Sequence, residues 1–273
     1  MKTKSTIALS FATFAILFTA GCRKEEKNRI SDVPESGLKN ELQHINSQYP
    51  FTLSSHAPSA VKTVMADIGG GWTAGEAGSI FGPWGAFAGA LIGGVASSLV
   101  YIYALPAPPL GPNPGGVYAV NSNNPFDAVG VGHNQLCAEI LSENQSLYVS
   151  NGNVNEQALF NRLCVLAVAY YNRINGFVDK GVAKTVADIP MTFAQFQQTI
   201  AASVKPLICD GSVQMVMSSY ESGLPGAEAS KAQFLNYTLA YENATAKSTL
   251  PAQDKAGLFC YFAIARNSYM FWN

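Results

Sequence analysis

Charge is scarce in this chain. Asp, Glu, Lys and Arg supply 13% of its 273 residues, about half the share of an ordinary soluble domain. The net charge is −1, so there is no basic surplus to displace counterions, and nucleic acid is excluded as a partner. Histidine is rarer still. The three residues, His44, His56 and His133, have no paired spacing of the kind a metal centre uses. There is no Cys-x-x-Cys for dithiol redox work, no Gly-x-Ser-x-Gly nucleophile elbow, and no glycine loop ending in Gly-Lys-Ser/Thr. No catalytic constellation is legible, and the expectation is a non-enzymatic protein with no cofactor and no metal.

What charge there is clusters near the start. Lys2 and Lys4 precede an apolar and small-residue run, Ile7 to Ala20, too short to span a bilayer stably. That is the layout of a secretory signal over 1–21 rather than of folded structure. Residues 23–41 carry ten charged residues in nineteen. A stretch of that composition cannot bury a core, so 22–57 reads as a flexible tether. Beyond residue 41, only ten Lys/Arg and thirteen Asp/Glu remain, which implies that some surface faces lipid, a partner or itself.

The Ala20-Gly21-Cys22 ending resembles a bacterial lipobox, in which the cysteine is acylated and becomes the new N-terminus. Arg23-Lys24-Glu25-Glu26 resembles the surface-export signal of Bacteroidota lipoproteins. The resemblance implies lipidation at Cys22, membrane lipid as a partner through the acylated cysteine, and an outer-membrane location facing the cell exterior. Acyl chains on one cysteine would anchor the protein stably.

The most informative stretch is 58–104. Gly71, Gly75, Gly78, Gly82, Gly85, Gly89 and Gly93 recur at steps of 4, 3, 4, 3, 4 and 4, which places them on one helix face. Glycine is about 1 kcal/mol worse than alanine per helical position. Seven of them must be offset by close packing or by lipid. A face without side chains lets a second helix approach to backbone contact. Gly82-Pro83 breaks the stripe, glycine suiting the end of one helix and proline the first turn of the next. Two helices are expected, about 61–81 and 83–103, forming a hairpin. The second would be about 31 Å long, close to a bilayer core, with Trp84, Tyr101 and Tyr103 placed like interfacial anchors. Two readings stay open: a hairpin that associates with membrane or a partner helix, or a buried hairpin packed against the rest of the protein. The pattern Gly-Pro-Trp-Gly-Ala-Phe-Ala-Gly-Ala-Leu-Ile-Gly-Gly resembles glycine zippers and the core of double-glycine bacteriocins, which would imply an antagonistic role.

Prolines at 106, 108, 109, 112 and 114 forbid a helix and mark 105–124 as a semi-rigid linker. The remainder, 125–273, reads as helical. Leu159, Leu163, Leu166, Tyr170 and Ile174 form an apolar stripe at helical period, as do Phe193, Phe196, Ile200, Val204 and Leu207, and Leu258, Phe262, Ala265, Tyr269 and Trp272. Helices are expected at about 127–148, 154–178, 192–220 (kinked or split at Pro206), 227–246 and 252–271. No alternating run suggests a sheet. The predicted fold is all-α: a glycine-rich hairpin followed by a bundle of five or six helices.

Asp127 is placed as a helix N-cap. His133 shares a helical face with Ile140, as a buried histidine would, and the His133–Asn134 pair is the candidate should the domain hold a ligand. The four cysteines after Cys22, namely Cys137, Cys164, Cys209 and Cys260, permit two disulfides in an exported protein. Each also lies on an apolar helical stretch, as a buried free thiol would. Two segments, Asn124 to Asn134 with its Asp-x-x-Gly-x-x-His-Asn pattern and Ala265 to Trp272 with its Ser-x-x-x-Trp ending, are similar to stretches of Bacteroidota surface proteins without an assigned activity. That resemblance implies a fold and no chemistry.

Overall fold

The glycine stripe folds on itself. In the computed structural model, which describes residues 34–49, 59–104, 118–150, 153–176, 181–203, 211–227 and 230–273, α2 (Ser59–Ser79) and α3 (Gly82–Ala104) pack as an antiparallel hairpin. A methyl group on Gly78 would overlap the carbonyl oxygen of Gly85, and one on Gly85 would overlap that of Gly78. The same holds for Gly89 against the carbonyl of Ala74 and for Gly93 against that of Gly70. The helices therefore touch backbone to backbone, which compensates for the poor helix propensity of glycine. Gly82 departs from the expected stripe. A methyl group there would meet open space, and its φ is +82°, so it makes the turn that leads into α3. Gly71 lies between Ile264 and the carbonyl of Ala90 in α3, and Gly70, outside the expected set, takes the tightest place against Gly93 and Ser97.

The other helices are α1 (Pro34–Gln48), α4 (Asp127–Ser142), α5 (Glu156–Arg173), α6 (Phe193–Ser203), α7 (Ser212–Ala227), α8 (Lys231–Lys247) and α9 (Ala252–Trp272). Four of them, α4, α5, α6 and α9, pack on the hairpin, and α1, α7 and α8 lie outside them. The fold is all-α, with one minimal antiparallel pair, β1 (Val149–Ser150) and β2 (Asn153–Val154), in register Val149 to Val154. Local sequence sets several starts. Asn155 caps α5 by accepting from Ala158 N (3.2 Å), and Ser230 caps α8 by accepting from Gln233 N (3.1 Å). Thr192 and Gln195 close a reciprocal box at the start of α6, at 2.8 and 3.3 Å.

α9 lies against α2, α4 and α8, while α5 and α6 cover α3. As a result α3 is almost wholly buried. By length and composition it could cross a membrane, yet 83% of its most apolar window is inside the protein. Its aromatic ends have protein partners. Trp84 packs on Phe87 and Tyr171 and donates to the carbonyl of Asp188 (2.7 Å), and the Tyr103 hydroxyl bonds the Gln145 side chain.

Several sequence expectations need correction. The tether was expected to run to residue 57, but 34–48 is α1, because Leu38, Leu42 and Ile45 form a buried stripe among the charges. The hairpin is not a separate domain, since residues 34–273 form one unit. The 192–220 stretch is split into α6 and α7, as its internal proline led one to expect, though Pro206 itself lies outside the described residues. The linker ends before Asn121, which bonds into the fold as described below; 105–117 lie outside the described residues, as do 1–33 with Cys22.

Candidate functional site: a buried polar seam

The two short motifs noted in the sequence meet. Asp127, Gly130, His133 and Asn134 share one face of α4, and that face lies on Ala263, Arg266, Asn267 and Ser268 of α9. Gly130 permits the approach: a methyl group there would overlap the carbonyl oxygen of Ala263. Along this seam the side chains pair across the fold. His133 Nε2 lies 3.3 Å from Asp67 Oδ2 of α2. The same oxygen accepts from the Ser268 hydroxyl and from Trp272 Nε1 (3.1 Å). Asn134 Nδ2 donates to the carbonyl of Asn267 (2.8 Å), which turns Asn134 Oδ1 toward His133 Nδ1 at 3.1 Å.

Both ring nitrogens of His133 therefore face oxygen acceptors, an arrangement that only the imidazolium satisfies with two N–H donors. Burial pushes the His133 pKa down, but the Cys137 sulfur and the Asp67 carboxylate outweigh it and hold the group well above 6.5. Asp67 and His133 thus form an ion pair whose side chains are both 0% exposed.

Two residues before Ser268 on α9, Arg266 begins a second charge cluster that continues the seam. The Arg266 guanidinium bonds the Asp127 carboxylate and lies 3.0 Å from Glu242 Oε1. Asn124 Nδ2 and Asn121 Nδ2 donate to the two oxygens of Glu242 at 2.6 and 2.7 Å. Asp127 was expected as an N-cap. Phe126 occupies that place without a side-chain bond, and Asp127 is engaged by Arg266 instead.

The seam contains the residue types of cysteine nucleophile chemistry. Cys137 Sγ is 3.8 Å from His133 Nε2, and Nδ1 faces the Asn134 amide. Its burial argues for a structural role. Cys137 and His133 are 0% exposed, and Ser268 donates to Asp67 rather than to the imidazole. The His133–Asn134 pair, expected as the ligand candidate, is turned inward as a link between α4, α2 and α9. Asp67 Oδ2 already meets three donors, and among the described residues no three His, Cys, Asp or Glu side chains are placed to hold a metal ion. Comparison with known protein families, curated proteins and solved structures returns no match.

Of the two readings of the cysteines, the described ones meet the buried free thiol rather than the disulfide. Cys137, Cys164 and Cys260 are buried free thiols, and Cys209 lies outside the described residues. Burial pushes Cys164 and Cys260 up to about 12, which makes them poor nucleophiles. Sequence reasoning missed Asp67, Arg266, Glu242 and Ser268 as partners. The available signal was that few charged residues remain after residue 41; a charge kept inside so apolar a chain calls for a partner.

Proposed function

We propose that this chain is a non-enzymatic surface module, held at the outer membrane by acylated Cys22, whose helical domain binds a partner and whose glycine hairpin is the core of that domain. The observation that carries the reading is the mutual engagement of Gly78 with Gly85 and of Gly89 with Ala74. A glycine face already in backbone contact with its own hairpin partner has no free surface to offer lipid or a foreign helix. The buried ion pair of Asp67 and His133 then fixes the hairpin to α4.

Flotation on liposomes tests this. The acylated protein is expected to float, and the secreted Cys22→Ser chain to stay in solution as a detergent-independent monomer. A second reading is favoured by the length and apolarity of α3: the bundle sheathes a hairpin that opens into lipid, as the bacteriocin resemblance would have it. Flotation of the Cys22→Ser chain, or dye leakage from the vesicles, would replace the first reading with the second.

A further inference from the structure

The tip of the hairpin presents apolar side chains to solvent. Between α2 and α3 runs Ile80-Phe81-Gly82-Pro83, where Phe81 N donates to the carbonyl of Gly78 (2.9 Å) and Gly82 supplies the positive φ. That turn throws Ile80 and Phe81 outward, 76% and 54% exposed. A second apolar pair stands beside them. Trp84 Nε1 donates to the carbonyl of Asp188. Asn172, near the end of α5, bonds both the N–H and the carbonyl of Lys184, at 2.9 Å each. These bonds hold the 182–188 segment, with exposed Val182 and Val186, beside the first turn of α3. Of the eight large apolar side chains exposed among the described residues, four therefore gather at this one end. Charge borders the patch without entering it. The chain has no charged residue between Glu76 and Asp127. The Asp188 carboxylate is turned back onto Thr185 N and Oγ1, at 2.7 Å each, and Lys184 is exposed.

A patch of this size suits one kind of partner. Four side chains fall far short of the ~800 Å² per partner that a stable protein interface buries. Neither a second copy nor a globular protein would hold there alone. A lipid surface asks for less. Two inserted apolar side chains bind with about millimolar strength, too little to hold a free chain. It suffices once the chain is tethered, because a short tether keeps the effective concentration in the millimolar range. Pro34, where α1 begins, is twelve residues from Cys22, a reach of at most about 40 Å.

We propose that the Ile80–Phe81 tip is a second membrane contact, which dips into the interface of a lipid bilayer and, together with acylated Cys22, fixes which end of the domain faces the membrane. The proposal rests on the anchored reading above and leaves the glycine faces closed. Ile80 and Phe81 enter the acyl boundary, Val182 and Val186 lie at its edge, and Lys184 and Asp188 stay among the headgroups. The far end of α3, about 33 Å away, then points outward, with Leu147 beside the Tyr103–Gln145 bond.

The test is an environment-sensitive dye on a Phe81→Cys chain that also carries Cys209→Ser, the other cysteines being buried. A hexahistidine tag at position 22 replaces the acyl anchor, and the vesicles are phosphatidylcholine with a nickel-chelating lipid. The control dye sits on Leu147→Cys, a position equally exposed at 54%. On vesicles the dye at 81 is expected to shift to the blue and to be quenched by lipids brominated near the headgroup, while the dye at 147 stays as in water. Ile80→Asp, at a site too exposed to disturb folding, should abolish the shift. Without nickel the same shift should need at least tenfold more lipid. No shift at 81, or equal shifts at both positions, overturns the proposal. So does stronger quenching by lipids brominated at the bilayer centre, which would mean an opened hairpin. A shift that grows with protein concentration in the absence of vesicles would assign the tip to a second copy and overturn it too. The tag makes these readouts independent of lipidation, so failure here and failure of the acylated protein to float are separable.

Discussion

His133 and Asp67 face each other at 3.3 Å across the junction of hairpin and bundle, and neither reaches solvent. The contribution of this pair to stability depends on the proton of the imidazole. The folded-state pKa of His133 is raised above 6.5, so the group binds its proton more tightly when folded. Its stabilisation is complete below about pH 6.5 and is lost as pH rises through the folded-state value. Denaturant midpoints measured from pH 6 to pH 10 should fall for the wild type. The His133→Gln variant should be less stable at pH 6, by about 3–5 kcal/mol for a broken buried pair, and should lack that slope. A wild-type midpoint that stays level over the range would show that the imidazole is neutral in the folded protein.

The second charge cluster makes a different prediction. Replacing Arg266 by Met leaves Asp127 and Glu242 without their cation in the interior. The expected loss is about 3–5 kcal/mol, because an unpaired buried charge keeps its desolvation cost. Adding Asp127→Asn and Glu242→Gln removes the orphaned charges and should recover at least about 1 kcal/mol. Calorimetry of the single and triple variants decides this. A triple variant no more stable than the single would mean that the hydrogen bonds from Asn121 and Asn124, not the charges, hold the seam.

These clusters explain what the sequence could and could not disclose. Helices α5, α6 and α9 were legible because each repeats apolar residues at helical period, and the hairpin because Gly82-Pro83 interrupts a regular glycine stripe. Helix α1 was hidden because its three buried residues are embedded in the most charged part of the chain, where composition outweighs a short stripe. The seam was hidden for another reason. Asp67 and Ser268 are 201 residues apart, and Asn124 and Glu242 are 118 apart. Local pattern sees one member of each pair and reads it as a cap or a lone core histidine. The pairing emerges only once α4 and α9 are brought together at Gly130.

Thiol labelling separates burial from pairing. With Cys137, Cys164 and Cys260 free and buried, maleimide added to the native protein under non-reducing conditions should leave all three unmodified. After denaturation, still without reductant, all three should react. Peptide mass spectrometry reads both states. A cysteine among the three that resists labelling until reductant is added would reveal a disulfide and contradict the free-thiol arrangement.

The glycines offer the sharpest test of the hairpin, because two of them predict losses of different origin. Gly89→Ala puts a methyl group into the carbonyl of Ala74, and backbone cannot swing aside as a side chain can. The helices must separate, which also loosens the contacts of Gly85 and Gly93, and overpacking of this kind costs roughly 1–3 kcal/mol or more. Gly82→Ala meets open space, so only its φ of +82° matters, a strain of about 1–2 kcal/mol. The two are distinguishable by more than size. Loosening the helix pair should speed hydrogen exchange along both α2 and α3, whereas strain at the turn should lower the global unfolding free energy and leave the pattern of protection between them unchanged. If Gly89→Ala were as stable as wild type and equally protected, the helices would not be in backbone contact, and the glycine face would be free for lipid or for a partner after all.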